Sequence, residues 1–157
     1  MSEAKSKIRW GKCTWDLFHT LAEKIDADYY LKNRWQILDM IKKICLYLPC
    51  PDCAGHATRF LSNVKVKSVP NKNQFRAMLF CFHNSVNARV GKQQFKNGSL
   101  EVYKNFNIGV ALNNFIIFYA KRYSSTLRAG ITSTEMDRRK IAHAVTIWFK
   151  TNWRNFA

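Results

Sequence analysis

No stretch of about 18 residues in this chain is both apolar and free of charge, so the sequence offers no membrane-spanning helix. The opening segment, MSEAKSKIRWGKC, lacks the apolar core a secretory signal needs. Glu3 and the near-absence of Arg argue against a transit peptide. The expectation is a cytoplasmic protein with no signal peptide, in the host cytoplasm or the virion if the source is viral. Acidic residues are scarce, 10 against 26 Lys and Arg, giving a net charge of +16. Such a field draws anions, whether nucleic acid, acidic proteins, phosphorylated cofactors or anionic lipid, and does not choose among them. There is no compact Lys/Arg run, zinc-finger spacing or RNA-binding signature, so nucleic acid is not an expected partner. Five cysteines make an odd count, and without a signal they are a poor disulfide framework. Internal repeats, low-complexity tracts and strand-like alternation are missing too.

What is present suits one helical domain. With 157 residues, 47% of them hydrophobic, the chain can bury a core without disulfide staples. Trp15, Phe18, His19, Ala22 and Ile25 step by three and four, as one face of a helix does. A second stripe runs Leu31, Trp35, Leu38, Ile41, Cys45, Leu48 and stops at Pro49. Pro51 suits the first turn of a third helix, to about Leu61, with Cys50 at its cap and Cys53 in its first turn. Residues 64–73 read as a connector. The fourth stripe is Phe75, Met78, Leu79, Phe82, Val86 and Val90, ended by Gly91. Two more follow: Ile108, Leu112, Phe115, Ile116, Tyr119, and then Ile141, Ala144, Val145, Trp148, Phe149. Between them lie a Ser/Thr/Gly-rich loop and a capping box from Thr132 to Glu135. The fold class is all-α.

Three segments carry chemistry. In Cys50-Pro51-Asp52-Cys53, a thiolate at a helix N-terminus is stabilised by unpaired N–H groups, and a second thiol allows reversible closure to a disulfide. Two other readings stay open here: a zinc site using Cys50, Cys53, His56 and His83, or two unreactive buried cysteines. In the second segment, His83 and Asn87 share a helix face with Asn84 beside them. Polar groups on an apolar helix need partners, and this ledge suits a flat heteroaromatic ring. Lys92, just beyond, could reach a phosphate. In the third, Trp15 and His19 share a face. Cys45 and Cys81 lie inside helical patterns and read as reduced packing residues.

Taken together, Trp10-Gly11 with Trp15 and His19, then Cys50 with Cys53, then His83, Asn84, Val86, Asn87, Gly91 and Lys92 resemble the Erv/ALR family of FAD-linked sulfhydryl oxidases. The likeness covers roughly residues 9 to 95 and is closest to the short enzymes of large DNA viruses. It implies a four-helix bundle holding FAD, with residues 1–96 as the oxidase core. Residues 97–157 would form a helical extension, packed on the core or at a dimer interface. It further implies that Gly11, Trp15, His19, Cys53, His83, Asn84, Val86, Asn87 and Lys92 contact FAD, with no metal site. Cys53 would lie against the flavin and Cys50 would meet the thiols of substrate proteins, a thioredoxin-like or small dithiol carrier among them, with O2 as final acceptor. A homodimer through the first two helices is also implied. The chain departs from the family in having Lys24 where an aromatic residue is usual, and in having no cysteine beyond Cys81.

Overall fold

The computed structural model describes residues 3–123 and 133–156, with side chains described over 9–123 and 134–156. Six α-helices follow one another: α1 Glu3–Lys24, α2 Ala27–Leu46, α3 Pro51–Ser62, α4 Lys72–Val90, α5 Ile108–Tyr119 and α6 Ser133–Asn152. Short 3-10 turns stand at Val66–Ser68, Ser99–Asn105 and Trp153–Asn155. The described residues contain no strand beyond one isolated bridge, Ile25 with Phe156.

Local chemistry sets the helix ends. Asp26 caps α2 by accepting from the Tyr29 N–H, Asn71 caps α4 through Gln74, and Asn107 caps α5 through Val110. Gly91 closes α4 in the left-handed region at φ 75°, where the Gly91 and Lys92 N–H groups reach back to Ala88 and Asn87. Pro51 opens α3 with Cys50 as its cap. Thr132 lies outside the described residues, and so does most of the Ser/Thr/Gly-rich loop.

α1 is the central element. Leu17, Phe18, His19, Thr20, Leu21 and Ala22 are all buried. Six consecutive residues span more than one turn, so this stretch is enclosed on every side. α4, the 99–105 turn and α5 enclose it, while α2 packs on α3, α4 and α6. The core runs without a break from Leu17 and Ile41 to Phe115, Tyr119, Val145 and Phe149.

Three sequence stripes sit differently from expectation. Leu31 and Trp35 are exposed, because α2 turns Tyr30, Ile37, Ile41 and Ile44 inward. On α6 the buried positions are Glu135, Arg138, Ala142, Val145 and Phe149, with Ala144 outside. Val90 is exposed in the last turn of α4. In each case burial follows the face that meets a neighbour, and a stripe read in isolation can be rotated by one residue. Cys45 is buried as expected, but Cys81 is exposed and is not a packing residue.

The C-terminal helices are tied to the rest by named bonds. The Tyr119 hydroxyl donates to the Ile44 carbonyl at 2.9 Å, and Tyr29 donates to Asn152 at 2.7 Å. Arg138 donates to the Tyr119 carbonyl at 3.1 Å. The Asp26 N–H meets the Asn155 carbonyl at 2.7 Å, closing the last turn onto the α1–α2 corner.

Candidate active site

Cys50 and Cys53 form a disulfide at the start of α3, with Cα atoms 5.2 Å apart. Both are half-buried, while Pro51 and Asp52 between them are exposed. The Cys53 N–H donates to Cys50 Sγ at 3.3 Å, so the first turn of α3 points a backbone donor at the Cys50 sulfur. A thiolate released there meets an oriented N–H and the positive end of the helix. The helix start therefore favours the Cys50 anion in particular.

α3 packs on α4 with the chains running in opposite directions. The Phe60 ring stacks on Phe82 at 4.8 Å, and His56 Nε2 meets the Ser85 hydroxyl at 3.4 Å. Arg89 follows Ser85 by four residues, on the α4 face that meets His56.

On the other side of Phe82 lies a cluster of rings. Trp15 stacks on His83 with centroids 4.0 Å apart and planes 6° from parallel. It also stacks on His19 at 5.6 Å and meets the Phe82 edge at 4.9 Å. His19 Nε2 and His83 Nδ1 share a hydrogen bond of 2.8 Å across 64 residues of sequence. Burial lowers the His19 pKa to about 3, helped by His83. Burial and then the Lys92 charge lower that of His83 to about 4. Both imidazoles are neutral near pH 7, as one donor facing one acceptor requires.

The other expected residues divide by what they touch. Asn87 is buried at 6% exposure, and no hydrogen bond engages its side-chain amide. Gly11 is one turn before Trp15, and a Cβ placed there would meet nothing within 4 Å. Val86 packs against the core, and Lys92 is exposed. Asn84 has its amide engaged: it donates to the Phe95 carbonyl at 3.1 Å and accepts from the Phe95 N–H at 2.7 Å. It thereby folds residues 92–95 back over α4, and the Phe95 edge closes on His83 at 4.6 Å.

Sequence reasoning missed Phe95 and Tyr103. Tyr103 lies 4.9 Å from the His19 ring and donates to Asp16 at 3.0 Å. It sits in a 3-10 turn, where no helical period marks it. Lys24, the departure noted above, donates to the Lys104 carbonyl at 2.6 Å and anchors the same turn. A cleft of about 330 Å³ opens between α1, α4 and residues 97–101; it touches the ring cluster through His19 and is not lined by Cys50 or Cys53. The zinc reading finds no support. His56 faces Ser85 and His83 faces His19, and no three His, Cys, Asp or Glu side chains converge among the described residues.

A disulfide capping a helix, in a helical fold that also holds a cluster of flat rings, marks a helical protein with a cysteine pair able to pass between disulfide and dithiol. The model of the Erv1/Alr family matches residues 12–107, and the chain belongs to that family. Its relatives include a protein of Invertebrate iridescent virus 3, provisionally named an FAD-linked sulfhydryl oxidase. That protein is 31% identical over 86 residues, which are 54% of this chain and 58% of the relative. The FAD-linked sulfhydryl oxidase of African swine fever virus is 29% identical over 98 residues, 62% of this chain and 79% of the relative. FAD-linked sulfhydryl oxidase ERV1 of Oryza sativa subsp. japonica is 29% identical over 90 residues, 57% of this chain and 46% of the relative. The chain thus spans less than two thirds of the first and last of these. No solved structure matches it.

Proposed function

We propose that this chain is an FAD-dependent thiol oxidase that forms disulfides in substrate proteins, with O2 as the final acceptor and H2O2 as product. The observation that carries the reading is the Cys50–Cys53 disulfide at the cap of α3, the helix that packs on α4 through Phe60 on Phe82 and His56 on Ser85.

The residues present fit FAD. Neutral rings of Trp15, His19 and His83 offer flat surfaces for flat heterocycles. The unbonded Asn87 amide offers a donor and an acceptor, and Gly11 leaves the side of α1 open. The charge of Lys92, felt at His83, suits a phosphate. On this reading Gly11, Trp15, His19, Cys53, His83, Val86, Asn87 and Lys92 contact the cofactor. Asn84 acts through the 92–95 segment it holds. When bound, FAD supplies the electron sink that reoxidises the cysteine pair and passes the electrons to O2.

The protein's own steps are thiol–disulfide exchange. A substrate thiolate attacks Cys50 Sγ, a new S–S bond forms, and the Cys50–Cys53 bond breaks with Cys53 leaving as thiolate. A second substrate thiolate attacks the substrate sulfur of the mixed disulfide and releases Cys50. The Cys53 N–H and the start of α3 stabilise that leaving anion. The substrate leaves oxidised by two electrons, and Cys50 and Cys53 hold those electrons as a dithiol.

Purified protein should be yellow and release FAD on denaturation, and it should consume O2 with dithiothreitol. A colourless protein that binds no added FAD would sink the reading.

The partner and setting proposed with this function are substrate dithiols and a homodimer in the cytoplasm. None of the described helices is long and apolar enough to cross a membrane. Because residues 17–22 of α1 are enclosed, pairing would use α2, where Leu31 and Trp35 stand 44% and 58% exposed. Trp35→Glu should then shift a dimer to monomer in sedimentation. A wild-type monomer at high concentration would remove the pairing without touching the chemistry.

A further inference from the structure

The exchange steps leave the protein substrate undefined, and the surface beside the disulfide bears on it. Arg59 of α3 and Arg89 of α4 are both exposed. The Arg59 guanidinium lies back along α3 toward its N-terminus, with Nη1 3.6 Å from the position a Cβ on Gly55 would take. Both cations act on His56, which burial first and then Arg89 and Arg59 hold below its usual range. His56 follows Cys53 by three residues on the same helix. Ser85, which meets His56, and Arg89 are four residues apart and share a face of α4.

Neither arginine is engaged within the protein. The described salt bridges are Lys12–Asp16, Lys43–Asp39, Arg76–Glu23 and Lys104–Glu101, and no hydrogen bond occupies the Arg59 or Arg89 side chain. Arg76 shows the contrast, bound to Glu23 at 2.8 Å in the cleft wall. The carboxylate nearest in sequence to the disulfide is Asp52, exposed between the cysteines and in no salt bridge. Two unpaired guanidinium groups outweigh it, in a chain of net charge +16. Charges so placed attract an anionic partner over a Debye length of about 10 Å at moderate salt, and arginine forks match carboxylates in two-pronged contacts.

We infer that Arg59 and Arg89 form a cationic rim beside Cys50–Cys53, and that the protein substrates are dithiols whose cysteines are flanked by Asp or Glu. This rests on the thiol-oxidase reading and adds the substrate class.

The test uses the flavin-loaded full chain and two dithiol peptides of equal length, one flanked by Glu and one by Lys. O2 uptake at low salt should favour the Glu peptide about tenfold or more in kcat/KM, and added salt should narrow the gap. Arg59→Gln with Arg89→Gln should erase the preference, and Arg59→Glu with Arg89→Glu should reverse it. Turnover of dithiothreitol by the same preparations reports that the redox centre is loaded. Equal kcat/KM for the two peptides at low salt, or a preference that survives the double Gln variant, overturns the rim. Failure of the underlying oxidase reading looks different, since then dithiothreitol is not oxidised by the wild-type chain.

Discussion

The half of the chain that holds the disulfide and the ring cluster uses buried polar groups differently from the last third. In the first region the pair His19 and His83 bond to each other, the Asn87 amide has no hydrogen bond, and the Thr20 hydroxyl is buried without a partner. In the last third, side-chain hydrogen bonds tie one element to another: Tyr119 to Ile44, Arg138 to Tyr119, Tyr29 to Asn152. Trp148 Nε1 is buried there without a hydrogen-bond partner. Buried polar groups that serve only stability are satisfied, because an unmade hydrogen bond costs about 1–3 kcal/mol. What sets the first region apart is the open Asn87 amide beside two neutral stacked imidazoles, which points to a ligand there. The C-terminal helices supply support.

The largest effect should come from the cysteines. Cys50→Ser and Cys53→Ser should each lower dithiol turnover on the order of a thousandfold or more, as removal of a reacting nucleophile does, with little change in melting temperature. The two should also differ spectroscopically. Cys50→Ser leaves the Cys53 thiolate and should show a long-wavelength charge-transfer band with bound FAD, whereas Cys53→Ser should show none, and its Cys50 thiolate should attack an added substrate disulfide, release one substrate thiolate and hold the other as a stable mixed disulfide. The reverse pattern would exchange the two roles.

Phe149→Ala tests the supporting region. The ring is fully buried against Trp148 and Phe156, and its loss should cost about 3–5 kcal/mol in denaturant unfolding. Under conditions where the variant stays folded, turnover per bound flavin should match wild type. A large loss of turnover in the folded variant would erase the division between the regions.

Acid should act on the site region. The folded pKa values of His19 and His83, about 3 and about 4, lie below the ordinary 6.5, so the unfolded chain binds more protons as pH falls. The contribution of these two groups is complete above pH 6.5 and is lost progressively as pH falls through 6.5 toward 4 and 3. Unfolding free energies measured from about pH 7 to about pH 4 should decline, and Phe149→Ala should show the same slope from a lower start. A flat profile would mean the imidazoles are not held neutral.

The smallest expected effect is at Tyr103→Phe. It removes the hydrogen bond to Asp16 and should cost about 1 kcal/mol, with weaker flavin retention because the ring it braces lies on His19. Unchanged flavin affinity would place Tyr103 with the supporting region.

The sequence by itself determined the helices and their ends. Pro51, Gly91 and the Asp and Asn caps act through neighbouring backbone groups, so their effect is legible without knowing the fold. It also determined that Trp15 and His19, and His83 and Asn87, share helix faces, since four residues make about one turn. Only the tertiary structure decided which faces meet. His83 could have faced a metal with His56, but α1 and α4 bring it to His19 instead. Leu31, Trp35 and Ala144 sit on apolar stripes yet stay outside, because burial depends on which side of a helix a neighbour covers. Tyr103 reaches Asp16 across 87 residues of sequence. Local hydrogen bonding fixes a helix within a few residues, whereas the choice of contact faces is a sum over all the apolar surface that six helices can hide at once.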